Sequence, residues 1–242
     1  MNKLKVSSID VFRYVALIIF TGSFGFVGMN QAYAQKPEQE FHWTIKLLPI
    51  DAATFKKSFT VPKRTITIDT NAYRKKNGTI TLPVSAEKNI TFKDNKGVPY
   101  EEDRTSHHYL GQVSALGCYL VEQNLFESTD YFLIHKKTGR IDTISGVPDI
   151  SPDGKTLFTT EFNPYEEHAD IQPPSQDLYL SAIYQGKFSK PFRISYNKMA
   201  ITDYAWENNN SLVICYKMKE EDSDRNVRYA RLIVTKQIKK EK

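Results

Sequence analysis

Ile150-Ser151-Pro152-Asp153-Gly154-Lys155-Thr156-Leu157-Phe158 is a turn written between two strands. Proline presets φ, Asp-Gly supplies the positive φ of a tight reversal, and an apolar run follows at once. Asp177-Leu178-Tyr179-Leu180 reads as the next strand, followed by the turn Gln185-Gly186-Lys187 and a short strand ending at Ile194. The same markers stand 47 residues earlier as Asp130-Tyr131-Phe132-Leu133 and Thr138-Gly139-Arg140, with a strand ending at Ile144. Trp206-Glu207-Asn208-Asn209-Asn210-Ser211 before Leu212-Val213 is a later counterpart of the Pro152 turn. Weaker echoes are Ser114-Ala115-Leu116-Gly117 before Cys118-Tyr119, and Ile80–Ser85 leading to Ile90–Phe92. A period of about 40–50 residues carrying four strands is the length of one propeller blade.

Working outward, β-branched and aromatic runs bounded by Gly, Pro, Asn and Asp predict strands near 41–48, 64–69, 79–84, 89–93, 107–113, 118–123, 130–136, 140–144, 148–151, 156–161, 177–183, 190–195, 202–206, 211–217 and 227–235. Only Asp51–Phe59 has the character of a short helix. The expectation is an all-β chain, a small β-propeller-like array of four-stranded antiparallel units, about four blades. The strand near Phe41–Leu48 can serve as the missing outer strand of the last unit. A β-sandwich or open twisted sheet is the alternative. One domain is expected over 35–242, with a weakly defined part at 35–78, blade-like repeats over 79–235 and a solvated basic tail at 236–242.

The run Ile150–Phe158 with Asp177–Leu180, Gly186-Lys187 and Phe192-Arg193-Ile194 resembles one blade of the TolB-type, WD40-like β-propellers. The likeness is specific for that blade, weaker over 107–144 and 200–235, and faint before residue 79. The chain departs from the pattern in holding one Ser-Pro-Asp-Gly-Lys turn and fewer blades than that family commonly has. The whole is also similar to uncharacterised exported proteins of Bacteroidetes-type bacteria. The resemblance implies a protein-interaction module.

The 242 residues carry 33 Lys+Arg against 28 Asp+Glu, and 40% are apolar, so wholesale disorder is excluded. Residues 1–34 read as a secretory signal: Lys3, Lys5 and Arg13 lead, Tyr14–Met29 is apolar, and Ala32-Tyr33-Ala34 suits signal peptidase, leaving Gln35 as the new terminus. An uncleaved anchor is the rival, weakened by Gly22, Gly25 and Gly28 and a stretch shorter than a span of roughly 20 residues. The protein is therefore expected in the periplasm or outside the cell, with no membrane span after cleavage. Removing the leader leaves a net charge of +3, too little for a nucleic-acid stripe. The two cysteines, Cys118 and Cys215, exclude a disulfide scaffold, and nothing in the sequence brings them together.

Strand parity sorts the loops onto two ends. Glu127, the loop Tyr165-Glu166-Glu167-His168-Ala169-Asp170 and the run Glu220-Glu221-Asp222-Ser223-Asp224 fall on one. Lys136, Lys137, Arg140, Lys155, Lys187 and Lys190 fall on the other. A field of this kind steers partners. The 163–176 loop is the longest insertion in the repeat. Its Tyr165, Glu166, Glu167, His168 and Asp170, with Trp206, are the candidate binding residues; Tyr184 and Tyr204 are further aromatics suited to stacking on a sugar. Glu, His and Asp are also ligand types for a divalent cation, but no calcium-loop spacing is present and no metal site is assigned. His107 and His108 are adjacent, so a strand sends them to opposite faces. No Gly-x-Ser-x-Gly elbow, phosphate loop or His-Glu-x-x-His helix occurs, and no catalytic residue or cofactor is assigned. The expected function is an exported, non-catalytic binding protein of the cell envelope, with a protein or a glycan as partner. The alternatives are a glycan- or ion-dependent enzyme using the 163–176 loop, or an inhibitor or immunity-type partner of a secreted protein.

Overall fold

A computed structural model describes residues 40–59, 66–85, 88–98, 104–126, 128–163, 175–218 and 227–239. The signal assigned to residues 1–34 lies outside them. The described chain is β1 (Phe41–Ile50), helix α1 (Ala52–Phe59), β2 (Ile66–Thr67), β3 (Thr79–Val84), β4 (Lys88–Lys93), β5 (Ser106–Val113), β6 (Cys118–Asn124), β7 (Thr129–His135), β8 (Ile141–Ile144), β9 (Asp149–Ile150), β10 (Thr156–Asn163), β11 (Ser175–Tyr184), β12 (Lys187–Phe188), β13 (Phe192–Asn197), β14 (Met199–Asn208), β15 (Ser211–Met218) and β16 (Val227–Ile238). It is all-β apart from α1 and one 3-10 turn, and its antiparallel sheets do not close into a barrel. α1 starts where Asp51 Oδ1 accepts the Thr54 N–H at 2.7 Å, the side-chain cap expected of an aspartate before a helix. No helix among the described residues is long and apolar enough to cross a membrane.

Three meanders recur. β5-β6-β7-β8 form the first sheet, with β2 added beside β5. β9-β10-β11 form the second, where β11 pairs both β12 and β13. β14-β15-β16 form the third, and β1 completes it by pairing β16 antiparallel from Phe41↔Ile238 to Ile50↔Tyr229. β7 and β11 are both third strands, so the two Asp-containing markers occupy equivalent places. The turn Pro152–Lys155 joins the first two strands of the second unit, as its residues require: Ser151 Oγ donates to Asp153 Oδ1 at 2.6 Å, and Gly154 has φ +72°.

Alternation decides which sheet faces which. On β6 and β7, Tyr119, Val121 and Ile134 pack on Ile80, Leu82 and Val84 of the β3–β4 hairpin. Cys118, Leu120 and Leu133 pack the other way, on Ile150 and Leu157 of the second sheet. That sheet turns Phe158, Leu178 and Leu180 toward Trp43, Leu212, Leu232 and Val234 of the third. The third turns Val213 and Cys215 toward Phe55 of α1. The layers thus stack face to face in the order hairpin, sheet one, sheet two, sheet three, helix. Thr81, Asn89, Thr91 and Lys93 on the outer side of the hairpin are exposed, so that layer is finished with polar residues. Each wholly buried leucine contributes about 1.5–3 kcal/mol relative to exposure, which is why period-2 patterning controls the stacking.

Two features differ from expectation. β16 runs to Ile238, so Lys236 is a strand residue: its ammonium donates to Thr156 Oγ1 at 2.8 Å and lies 5.9 Å over the Trp43 ring. Lys239 pairs with Glu40 at 2.5 Å. Lys236, placed in the expected tail at 236–242, is thus held at the end of β16, its stem covering apolar surface while its head finds acceptors; Gln237, Ile238 and Lys239 are exposed, and residues 240–242 lie outside the described residues. The second is β12, a two-residue strand that the sequence pattern does not separate from the turn at Gly186. The cysteines are free thiols buried in different sheets, β6 and β15; burial pushes the Cys118 thiol up to about 12.

Candidate functional site

The cleft between sheets one and two holds two grooves. They exist because β9 is only two residues long and pairs β10 at Leu157 and Phe158 alone. Beyond Phe158 no further β9 residue lies beside β10, and the β8–β9 connection crosses that edge instead. Gly146 makes the crossing possible: with φ +99°, a Cβ there would stand 2.4 Å from the Thr160 carbonyl oxygen.

The lower groove, about 580 Å³, lies between the β6–β7 turn and the end of β10. Leu125, Phe126, Tyr131, Val147 and Phe162 supply its apolar surface, and Glu161 and Asn163 its polar one. Phe126, Val147 and Phe162 are 45%, 40% and 37% exposed. Tyr131 donates to Glu122 Oε1 at 3.3 Å, and Tyr179 to Glu161 Oε2 at 3.2 Å. Behind them Asp177 is buried with its carboxylate held by Arg193 at 2.6 Å, Asn163 Nδ2 at 2.9 Å and the Ser195 hydroxyl. Burial alone would raise its pKa, but the bonds from Ser195 and Arg193 outweigh it and hold the carboxyl below its ordinary value. The Asp177 cluster is thus an ionised, satisfied anchor for the two strands, β10 and β11, from which the 163–176 loop departs.

The upper groove, about 350 Å³, runs between β8 and the second sheet, over Leu157, Thr159, Tyr179 and Ser181, with Phe188 and Pro191 as a wall. Arg140 ties the two sheets there, reaching Asp142 at 2.9 Å and the Gly186 carbonyl at 2.8 Å. This end gathers the turns expected to be basic: Lys136 N–H donates to Gly117 C=O, Ser85 N–H to Lys136 C=O, and Ile183 N–H to Lys155 C=O.

Of the candidate binding residues, Tyr165, Glu166, Glu167, His168 and Asp170 lie outside the described residues, as do Glu127 and the 220–224 run. Trp206 is half-buried, its ring at 83° to Phe158 with centroids 6.5 Å apart, and its Nε1 is enclosed with no hydrogen-bond partner among the described residues. It packs between sheets two and three rather than lining either groove. Tyr204 stacks edge-on against Phe158 at 5.0 Å and also reaches the lower groove. Burial raises the Tyr204 pKa above the usual phenol value. Tyr184 is exposed on β11. His107 is buried and His108 exposed, as adjacent strand residues must be. Among the described residues no three His, Cys, Asp or Glu side chains gather as a metal-ligand set.

Sequence reasoning passed over Phe126, Val147, Phe162, Glu161 and the Asp177–Arg193 pair. Asp177 stood in plain view as a repeat marker, yet its partner is on another strand. No family model matches the chain, and no curated protein is similar to it at a significant level.

Proposed function

We propose that the chain is an exported, non-catalytic binding protein of the cell envelope, a WD40-like protein-interaction module. The stacked units are the blades of a small, open β-propeller-like array of the TolB type. The likeness of unit two to such a blade, the equivalent places of β7 and β11 and the completion of the last unit by β1 support this reading.

The observation that carries it is the lower groove, where three apolar side chains stand exposed together at the end of β10, beside Glu161. Exposed apolar surface rimmed by polar groups is the signature of a docking surface. Among the described residues Asp177 is paired with Arg193 and Glu161 accepts from the Tyr179 hydroxyl, so the groove offers shape and apolar contact to a polypeptide partner. The other candidate binding residues, Tyr165, Glu166, Glu167, His168 and Asp170, belong to the segment that follows Asn163 in sequence, and Asn163 lines this groove.

Pull-down from envelope extract with immobilised protein tests this. A discrete protein should be retained by the native chain and lost from the Phe126→Ser, Phe162→Ser double variant. Retention indifferent to those substitutions, or none at all, overturns the reading.

A further inference from the structure

The first sheet ends on β8, and no other strand pairs its outer side among the described residues. Register decides which backbone groups look outward. His135 N–H donates to Arg140 C=O at 2.9 Å, which makes Leu133–Asp142 and Tyr131–Ile144 hydrogen-bonded pairs in turn. The N–H and C=O groups of Ile141 and Thr143 consequently point away from β7. No bond to them is present among the described residues.

Two other sheet edges are blunted. On β1 and β3, the same register argument puts Pro49 and Pro83 at outward-facing positions, where proline removes the donor. β8 has no proline, and its Ile141 side chain is 45% exposed. The upper groove opens directly beside it, with Leu157, Tyr179 and Phe188 as apolar surface and Lys190 on its wall. Lys187 sits one residue beyond Gly186, which Arg140 draws up to the β8 turn. Neither Lys187 nor Lys190 has a carboxylate within ion-pair distance among the described residues, whereas Asp142 is already held by Arg140 and His135.

We propose that β8 takes an extended, acidic polypeptide segment as an added strand, whose alternate, carboxylate-bearing side chains turn to the upper groove and meet Lys190 on its wall and Lys187 beside it. Main-chain hydrogen bonds to Ile141 and Thr143 give the attachment, and the groove and the lysines select the sequence. This rests on the reading of the chain as a polypeptide-binding module, but it uses the opposite end of the cleft.

The probes are synthetic peptides of alternating valine and glutamate, and of alternating valine and lysine, titrated into the full chain and followed by amide hydrogen exchange. The Val-Glu peptide should slow exchange at Ile141 and Thr143 and bind about tenfold or more tighter than the Val-Lys peptide. Its affinity should fall as salt passes about 0.15 M, where screening sets in within roughly 8 Å. Thr143→Pro deletes an outward N–H while leaving the β7 ladder whole, and should weaken binding about tenfold or more. Lys187→Glu with Lys190→Glu should do the same without touching the backbone, and decides the matter if the proline variant fails to melt like the native protein. No binding of the Val-Glu peptide, or binding untouched by these variants, overturns the proposal. Binding lost in Phe126→Ser, Phe162→Ser but intact in Thr143→Pro overturns strand addition and keeps the lower-groove reading. Loss confined to the β8 variants, with nothing retained through Phe126 and Phe162, does the reverse.

Discussion

Gly154 stands at φ +72° with open space where a Cβ would project, so what it contributes is backbone conformation alone. Gly154→Val should cost about 1 kcal/mol or more, because a β-branched residue is strained there. That corresponds to a fall of about 2–4 °C in Tm for a domain of this size. Gly154→Asn should fall less, since asparagine tolerates the left-handed region. Equal losses in thermal melts would mean that strain is not the cause.

His107 is the residue that should set a pH limit. It is 6% exposed, its Nδ1 lies 3.5 Å from Asp94 Oδ1 without hydrogen-bond geometry, and burial lowers its pKa against the opposing pull of Asp94. Below about pH 6.5 the unfolded chain binds a proton at this position that the folded chain resists. Stability contributed by neutral His107 is therefore whole above that pH and drains away as pH falls toward the depressed folded value. Denaturation midpoints should drop between pH 7.5 and 5.5 in the native protein and drop less in His107→Gln. Parallel pH profiles would contradict this.

At the scale of elements, the exposed side of sheet three depends on α1. Phe55 is 7% exposed, packs with Val213 and Cys215, and meets Tyr229 at 5.0 Å. Phe55→Ala should cost about 3–5 kcal/mol. It should also uncover one thiol: Cys215 becomes reactive toward an aromatic disulfide reagent in the folded protein, while Cys118, sealed between sheets one and two, stays silent. Simultaneous reaction of both thiols would show global loosening instead.

Elements were the most legible part of the sequence. Period-2 runs between turn residues place nearly every strand, the Asp51 cap marks the only α-helix described, and the repeat of Asp130–Leu133 at Asp177–Leu180 identifies equivalent third strands. Even facing agrees, since Leu133 and Leu180 both point to the next layer. What local pattern does not carry is the length of β9. The runs at 148–151 and 156–161 look alike, but the Gly146 crossing cuts the first to two paired residues and so creates the grooves. Arg193 likewise reads as a surface cation until β13 pairs β11 and lays it on buried Asp177. Trp206 reads as a stacking aromatic because its run does not reveal that Phe158 faces it.

At the scale of the whole molecule, the layers hold only if the last unit is complete. β14, β15 and β16 are consecutive, but their fourth strand comes from the other end of the described chain. β1 brings Trp43 against the second sheet, stacked at 20° on Phe192, and Lys236 covers that ring from β16. Without β1 the second and third sheets lose part of their common core. The stack that positions both grooves is therefore a long-range construction, which local propensity alone cannot build.

The pairing of β1 with β16 can be locked covalently. Lys239 N–H donates to Glu40 C=O, so the next pair, Phe41 and Ile238, is non-hydrogen-bonded, with Cα atoms about 4.5 Å apart in such a register. That spacing suits a disulfide. Under mild oxidation, Phe41→Cys with Ile238→Cys should close an intramolecular bridge in nearly every folded molecule, seen by mass spectrometry after thiol blocking. Phe41→Cys with Gln237→Cys should not, because its side chains leave opposite faces. Failure of the first pair to close, or equal closure of both, would contradict the completion of the third unit by β1.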